Sequence, residues 1–432
     1  MNSSTDTAII GAGPYGLSIS AYLSEAGVPH QVLGQPMYAW RNFMPPGMLM
    51  RSEAFASDLY APQGGYTLEE YCRRNGISYA PIGMRLPLET FVDYGLWFQS
   101  QLVSHLRTLD VVELRRQDGF FRLALSDGSS LVARRVIVAQ GLKGFDRTPP
   151  IFQGLPKPYV IHSGEIGSLA WARNKNIVIV GGGQSALGLA ALLNEIGARV
   201  RVLVRGEAVS WNAEPDASRS IISRLLKPEG GLAAGWYPYM LSEYPFLFRA
   251  IHRQLRKRIA ESSFGPSGAW WLHDRVVGKV DLSFRTEVSH AEVKNGQLIL
   301  QIASRNETSS VTADHLIVAT GFGVDMAKHS FFSRELLESL SLVGGWPELT
   351  RNFETNVRGL YVIGPAAALS FGPVMRFVYG AKYGAPQLTR HISRCFKEEA
   401  RDFVFPSDPV EGDSGAALHG QSIFRASGNN LD

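Results

Sequence analysis

Cysteine is nearly absent from this chain. Only Cys72 and Cys395 occur among 432 residues, and they lie far apart in the sequence. Neither belongs to a C-x-x-C pair, so a disulfide framework and a redox-active vicinal pair are both excluded. His162, His273 and His329 are isolated from other metal-ligating residue types, and no metal site is predicted.

Long apolar runs and a strong net charge are lacking as well. No run reaches the roughly 18 apolar residues that a membrane-spanning helix needs, so no transmembrane segment is predicted. The net charge of +4 is too modest to indicate a nucleic-acid partner. Residues 1–6 carry no positive side chain and lead directly into an apolar stretch, so we expect no signal peptide and a cytoplasmic location.

Glycine, in contrast, is common at 44 residues and forms two turns of the same type. The sequence GAGPYG occupies residues 11–16 and GGGQSA occupies residues 181–186. Each turn follows a short apolar stretch typical of a buried parallel strand and precedes a helical pattern.

Such turns have a chemical use. Glycine permits a tight turn, a close approach of backbone N–H groups to a pyrophosphate, and close packing of helix on strand. The N-terminus of the following helix favours the phosphate charges. Two such units predict two dinucleotides. The simplest assignment is an FAD that stays bound and an NAD(P)H that binds and dissociates. The residues predicted to contact them are Gly11, Gly13, Pro14 and Gly16 in the first turn, and Gly181, Gly183, Gln184 and Ser185 in the second.

The residue after each second strand indicates which nucleotide is bound. Gln35 follows the strand predicted at residues 30–33, where an acidic residue usually binds the ribose; its amide can still contact a ribose hydroxyl. Arg205 follows the strand predicted at residues 199–204, and a guanidinium there can pair with a 2′-phosphate. We therefore predict NADPH over NADH; the alternative is that Arg205 is an ordinary exposed arginine.

The order of these patterns predicts an α/β fold with two Rossmann-like domains, the NADPH domain inserted in the FAD domain. Residues 1–165 form the first part of the FAD-binding domain, and residues 166–313 form the NAD(P)H-binding domain with a helical insertion at about 206–277. Residues 314–402 return to the FAD-binding domain, and residues 403–432 are predicted to be a flexible tail. Residues 244–262 read as a basic amphipathic helix, which indicates a solvated face, attraction of an anionic cofactor, or contact with a membrane surface.

With these turns, ATGF at residues 319–322 and GLYVIG at residues 359–364, the chain resembles the two-dinucleotide-binding flavoproteins over about residues 5–395. Within them it is most similar to the class B flavin monooxygenases. Trp40, the GML of residues 47–49, the segment 86–97 and the His162-Ser163 pair resemble the lysine/ornithine N-hydroxylase and flavin-containing monooxygenase branch.

Some positions depart from these families. Arg41 follows Trp40 where that branch has histidine, and Gly34 and Gly188 replace acidic residues. Pro156 and Pro158 interrupt the Baeyer–Villiger fingerprint. Pro365 after Gly364, with the missing C-x-x-C, argues against the disulfide reductases.

The resemblance implies an FAD- and NADPH-dependent oxidoreductase, in which reduced flavin and O₂ give a flavin hydroperoxide that oxygenates a small nucleophilic substrate. Hydroxylation of an amine nitrogen is favoured. The alternatives are a flavin-dependent NAD(P)H oxidoreductase or oxidase that inserts no oxygen, and a flavoprotein kept as a binding or regulatory module. The partners are a small-molecule substrate and molecular oxygen; the oligomeric state is not predicted.

Further residues are assigned to the site through the same resemblance. Arg51 and Arg376 are the candidate catalytic residues, and a structural salt bridge is the alternative for each. Pro373 suits the first position of a helix whose positive end would face the flavin. The remaining predicted cofactor contacts are Trp40, Met48, Leu49, Gly141, Thr320, Gly321, Gly364 and Phe371.

Overall fold

The computed structural model describes residues 2–216, 218–262, 265–304 and 307–399. The predicted tail at 403–432 lies outside these residues. A seven-stranded sheet forms the first layer of the fold. Its strands lie in the order Leu106–Arg107, His30–Leu33, Asn2–Ile10, Ser130–Val138, Phe120–Leu125 and Val111–Gln117, and Leu360–Val362 pairs with Ser130–Val138.

The centre of this sheet is parallel and buried. Asn2–Ile10 pairs in parallel with His30–Leu33 on one side and with Ser130–Val138 on the other. Ala8, Ile9 and Ile10 are almost completely inaccessible. A continuous apolar run of this kind suits a strand covered on both faces, which is why the sequence pattern identified it.

A second sheet has five strands, all parallel. Their order is Asp281–Phe284, Arg199–Val204, Asn176–Val180, His315–Val318 and Val160–His162. A separate antiparallel sheet contains Thr286–Lys294, Gln297–Ser304 and Glu307–Ala313. Its first hairpin turns at Asn295 and Gly296, both with positive φ, as the Asn-Gly signal predicts. Two short pairs complete the strands: Ser210–Trp211 with Ser267–Gly268, and Leu342–Val343 with Trp346–Pro347.

The chain leaves the first sheet after Ser130–Val138 and returns to it with Leu360–Val362, so the second sheet is built from an internal segment. The fold is therefore α/β with two Rossmann-like units, one inserted in the other. Val160–His162 is the edge strand of the second sheet and pairs with His315–Val318, the next strand in the sheet. The predicted boundaries at 165 and 313 assign both strands to the FAD-binding domain, and this division of the chain stays a prediction.

Helices follow the turns and fill the connections. The helices that follow the two glycine turns are Pro14–Glu25 and Gln184–Glu195. The segment 86–97 contributes most of the helix Leu88–Leu102, whose N-cap is Pro87. The other α-helices are Tyr38–Asn42, Leu68–Arg74, Ile221–Leu226, Trp236–Glu243, Arg253–Ser262, His273–Val276, Arg334–Ser339, Ala368–Phe371 and Ala381–Glu399. The 3₁₀ helices are Ala54–Ala56, Pro150–Phe152, Ala170–Ala172, Pro245–Ala250, Trp270–Leu272, Met326–Lys328, Gly364–Ala367, Pro373–Arg376 and Val378–Gly380.

The predicted basic helix at residues 244–262 divides into the 3₁₀ helix Pro245–Ala250 and the α-helix Arg253–Ser262. Three of its arginines contact the return segment. Arg249 donates to the carbonyl of Leu349 at 2.6 Å, Arg256 to that of Leu369 at 3.4 Å, and Arg253 pairs with Glu348 at 3.1 Å. These arginines therefore attach the insertion to the rest of the chain. None of the described helices is long and apolar enough to cross a membrane.

Candidate active site

The first glycine turn is packed tightly on one side and open on the other. Gly11 has φ +115°, and a Cβ there would lie 2.5 Å from the carbonyl oxygen of Ala139. A Cβ on Gly16 would lie 1.9 Å from the carbonyl oxygen of Gly11, so helix and strand approach as closely as the motif predicts. A Cβ on Gly13 would meet no atom within 4 Å. The turn therefore leaves free space at the helix N-terminus.

That space opens into a cleft at the carboxyl ends of the first sheet's strands, lined by Ile10, Leu33 and Ala139. In open parallel sheets this edge is where nucleotides bind. Gly13 is the N-cap of Pro14–Glu25, and no side chain caps the helix, so its first N–H groups can serve a phosphate. The predicted site residues that line the cleft are Gly11, Gly13, Pro14, Gln35, Trp40, Gly141 and Arg376.

Arg376 brings a positive charge to this cleft. Its guanidinium is partly buried, and burial lowers its pKa. It forms no ion pair or hydrogen bond with another described residue, so the salt-bridge alternative does not apply within that part of the chain. An unpaired, partly desolvated cation favours an anionic ligand. The backbone donors and the cation of the cleft thus fit the charge of a dinucleotide.

The segment that carries Arg376 differs from its prediction. Pro373 does occupy the first helical position, but the helix is one 3₁₀ turn that ends at Arg376 because Phe377 is extended. The next long helix begins only at Ala381. The predicted helix with its positive end at the flavin is therefore wrong, since a single turn has little dipole.

Tyr15 fixes this segment over the glycine turn, a role that the sequence did not indicate. Its hydroxyl group contacts the carbonyl oxygens of Met375 at 3.0 Å and Phe377 at 2.8 Å. A Cβ on Gly380 would lie 2.1 Å from the same hydroxyl. Met37, also missed, is fully buried beside the cleft with φ 54°, and its N–H donates to the carbonyl of Ala12 at 3.0 Å.

Apart from Thr320, Gly321 and the residues of the second unit, which are described below, five of the predicted cofactor contacts do not line this cleft. Gly16 serves helix packing, and Gly364 packs against Tyr15. The carbonyl of Met48 accepts from the N–H of Leu88, and Leu49 bridges to Pro87, so both hold the loop before that helix. The fifth, Phe371, is fully buried and stacks on Phe353 at 4.0 Å, which makes it a core residue.

The second glycine turn repeats the first. Gly181 has φ +140°, and a Cβ there would lie 2.4 Å from the carbonyl oxygen of Ala319. Gly183 is the N-cap of Gln184–Glu195, and no side chain caps this helix either. The Gln184 side chain accepts from the N–H of Ala269 at 2.8 Å, while Ser185 is exposed at the helix start. The backbone donors of this turn fit a second pyrophosphate.

Arg205 lies at the end of Arg199–Val204, next to this turn. Val204 is the nearest side chain to Gly182, with Cγ1 2.9 Å from the position of a Cβ there. Arg205 is exposed and forms no ion pair with another described residue. Its position therefore suits the 2′-phosphate contact, which stays a prediction.

Thr320 and Gly321 hold the crossing between the two units. The Thr320 hydroxyl donates to the carbonyl of Arg147. The Gly321 carbonyl accepts from the N–H of Arg147 at 3.0 Å and bonds Nε2 of His162 at 3.1 Å. Because Nδ1 of His162 accepts from the N–H of Gly164, Nε2 carries the proton. Burial lowers the pKa of His162, which favours this neutral form.

Arg51 does not line the cleft. Its side chain reaches the second unit, where Nη2 donates to Ser267 Oγ at 2.7 Å and to Asn212 Oδ1 at 3.4 Å. The expected structural salt bridge is not formed with any described residue. Its two partners lie beside the second glycine turn, so Arg51 links the two candidate nucleotide sites.

Known proteins share this architecture. Residues 3–216 match the family described as L-lysine 6-monooxygenase/L-ornithine 5-monooxygenase. An FAD-dependent urate hydroxylase of Xanthomonas campestris is 35% identical over 133 residues, 29% of this chain and 28% of that protein. A ferredoxin–NADP reductase of Rickettsia felis is 22% identical over 70% of this chain and 74% of that protein. The matched segment thus spans little more than a quarter of the first relative's length.

A solved structure extends the likeness to nearly the whole described chain. The reduced form of an ornithine hydroxylase from Pseudomonas aeruginosa superposes with a TM-score of 0.71 at 19% identity. The superposition covers 90% of this chain and 99% of that one. At this identity the likeness shows the fold, and the arrangement of the two units is common to both proteins.

Proposed function

We propose that this chain, a two-dinucleotide-binding flavoprotein of the class B flavin monooxygenase type, is an FAD- and NADPH-dependent enzyme that hydroxylates the nitrogen of a small amine. One observation carries the proposal. The match to the lysine and ornithine monooxygenase family covers residues 3–216, which include most of the cleft wall and the second glycine turn.

When bound, FAD reduced by NADPH would supply the activated oxygen, chemistry that belongs to the cofactor. The residues of this chain would bind and orient it. The uncapped N-terminus of Pro14–Glu25 offers backbone donors to the pyrophosphate, and the open side of Gly13 lets them approach. Arg376 supplies the positive charge that stabilises an anionic ligand in the same cleft.

Side-chain contacts hold the walls of the cleft, and they would keep the reacting groups aligned. Trp40 lies edge-on to Phe91 at 4.9 Å between ring centroids. Tyr15 holds the segment before Ala381 over the glycine turn through its two carbonyl contacts. His162 positions Gly321 at the crossing, and its neutral ring adds no charge there.

The second nucleotide is assigned to the second glycine turn. The uncapped start of Gln184–Glu195 would hold its pyrophosphate, and Arg205 its 2′-phosphate. We place the enzyme in the cytoplasm. Molecular oxygen and the amine complete the reactants.

A second function is favoured by one observation. The ferredoxin–NADP reductase is similar over 70% of this chain, farther than the family match extends. An NADPH oxidoreductase that inserts no oxygen would use the same two turns. The two functions differ only in whether an oxygen atom reaches an organic product.

The experiment that separates them uses purified flavin-containing protein, NADPH, oxygen and a panel of amines, sulfides and ketones. We expect one amine to stimulate NADPH oxidation and to yield a product that is heavier by one oxygen atom in mass spectrometry. Hydrogen peroxide equal to the NADPH consumed, with and without every compound, would instead establish the oxidoreductase. A Gly13→Ala protein, expected to lack FAD, serves as the control for background oxidation.

A further inference from the structure

Arg51 lies in a loop of the first unit, but its side chain contacts residues of the second unit. Its loop is fixed to the first unit, because the N–H of the preceding Met50 donates to the carbonyl of Leu86 at 2.8 Å. Its side chain ends on Ser267 and Asn212, which are 216 and 161 residues away in the sequence. The guanidinium therefore crosses the boundary between the two units.

No carboxylate among the residues that the structure describes compensates the charge of Arg51. Both of its hydrogen-bond partners are neutral. Its side chain is partly buried, and burial lowers its pKa. Removing an arginine from water without an anion costs free energy, whereas a bound anion recovers it. The arrangement is thus incomplete without a negative ligand.

The partners of Arg51 lie against the second glycine turn. Pro266, which precedes Ser267, packs on the turn, with its Cα 3.6 Å from the position of a Cβ on Gly183. The N–H of Asn212 donates to the carbonyl of Gly268 at 2.8 Å, which fixes both partners to one short strand pair. Ala269, two residues after Ser267, donates its N–H to the Gln184 side chain at 2.8 Å. Arg51 is therefore held close to the start of Gln184–Glu195.

A buried donor without a partner lies three residues after Ser267 and next to Ala269, whose N–H bonds Gln184. The indole Nε1 of Trp270 is buried and has no hydrogen-bond partner among the described residues. Buried donors of this kind are normally paired, and an unpaired one indicates a missing acceptor. An arginine without an acid and an indole without an acceptor both fit an oxyanion beside the turn.

We propose that Arg51 binds the pyrophosphate of the dinucleotide held at the second glycine turn and so closes the first unit over that nucleotide. The inference rests on the proposed use of NADPH and adds a ligand from outside the nucleotide's own domain. Arg205 and Arg51 then have separate roles. Arg205 recognises the 2′-phosphate, which only NADP carries, whereas Arg51 recognises the diphosphate that NADP and NAD share.

The test measures equilibrium binding of NADP⁺ and NAD⁺ to the FAD-containing protein without substrate. Calorimetry reports the affinity, and quenching of Trp211, Trp270 and Trp271 fluorescence gives a second readout. Arg51→Gln should weaken both nucleotides by about 10- to 100-fold, because a charge-assisted hydrogen bond to each is lost. Arg51→Lys should recover part of the loss, and the FAD content should not change.

Arg85→Gln is the matched control. Arg85 is an exposed cation that lies over the Trp270 ring at 4.6 Å, so its removal changes charge and tryptophan surroundings without touching Arg51. We expect NADP⁺ affinity to stay within about threefold of the wild type.

Unchanged NADP⁺ affinity in Arg51→Gln would overturn the inference. A loss confined to NADP⁺ would overturn the pyrophosphate assignment. Wild-type protein that binds no NADP⁺ would overturn the proposed function first. The binding experiment does not depend on oxygen transfer. Failure of the Arg51 inference is therefore distinguishable from failure of the proposed function.

Discussion

Gly13 and Gly16 of the first turn exclude a larger side chain for different reasons. Gly16 has backbone at 1.9 Å where a methyl group would stand, whereas Gly13 has empty space there. The first is needed by the fold itself, and the second is needed only when a ligand fills the cleft. Substitution can therefore separate folding from cofactor binding.

Gly13→Ala and Gly16→Ala should give opposite phenotypes. Gly13→Ala should fold with a stability within about 1 kcal/mol of the wild type and lose FAD, because the new methyl group occupies the approach to the pyrophosphate. Gly16→Ala should lose about 3 kcal/mol or more through its clash with Gly11. Urea denaturation and the flavin absorbance of the purified proteins measure both effects. A yellow, FAD-retaining Gly13→Ala protein would contradict this assignment.

Arg205→Ala should raise the dissociation constant of NADPH about 10- to 100-fold and leave that of NADH nearly unchanged, since only NADPH has a 2′-phosphate. Arg201→Ala is the control, because Arg201 lies on the same strand but pairs with Asp281 at 2.5 Å. Binding titrations of both nucleotides provide the measurement. Equal effects on NADPH and NADH would show that Arg205 is an ordinary exposed arginine.

At the scale of strands and helices, the sequence predicted those elements whose structure depends on neighbouring residues. The strands at residues 30–33 and 199–204 and the Asn295-Gly296 hairpin form where the sequence indicated them, because a short run of side chains decides each one. The contacts of Tyr15 and Arg51 could not be predicted in this way. Their partners are separated from them by 161 to 362 residues, and only the folded chain brings them together.

The segment after Gly372 is a second case in which local sequence could not predict the structure, because distant residues determine it. Proline at the first helical position predicted the start of a helix correctly, but nothing in the local sequence indicated that Phe377 would be extended. Tyr15 bonds the carbonyls of Met375 and Phe377, which would otherwise accept helical hydrogen bonds. Tertiary contacts thus end this helix after one turn and aim Arg376 into the cleft.

A buried histidine directly after the 3₁₀ helix Met326–Lys328 should make stability depend on pH. His329 packs against Phe145 at 4.7 Å and Phe331 at 5.3 Å, and burial lowers its pKa to about 4, helped by Lys143 and opposed by Asp325. Above about pH 6.5 both folded and unfolded states are neutral. Below it the unfolded state takes up a proton first, so stability falls by at most about 3 kcal/mol down to about pH 4.

His329→Gln should flatten this fall in the free energy of unfolding, measured by urea denaturation at about pH 7 and about pH 4.5. His252→Gln, at an exposed histidine, is the control and should leave the slope unchanged. A variant at His329 with the wild-type slope would show that other groups cause the acid sensitivity.

Over the whole molecule, one buried ion-pair group ties the beginning of the described chain to its end. Arg135 on the strand Ser130–Val138 donates to both carboxylate oxygens of Asp6, at 2.8 and 2.6 Å, and also to Glu399 at the end of the last helix. Arg135 is 3% exposed and Asp6 8%. Because both side chains are buried, each charge is stabilised mainly by the other rather than by water.

Arg135→Met should lower the free energy of unfolding by about 3–5 kcal/mol, because it leaves the Asp6 carboxylate buried without a cation. Arg358→Met removes an 84% exposed partner of the same Glu399 and should cost less than about 1 kcal/mol. Thermal and urea unfolding of both variants provide the comparison. Equal losses would contradict a special role for the buried pair.

The return of the chain to its first sheet also sets the order of assembly. Tyr15 and its carbonyl partner at Met375 are 360 residues apart, and Leu360–Val362 completes the sheet beside Ser130–Val138. During synthesis the ribosome must release almost the entire polypeptide before the flavin pocket can close. The inserted unit can fold earlier, so the nascent protein should be able to bind NADPH before it can bind the coloured flavin.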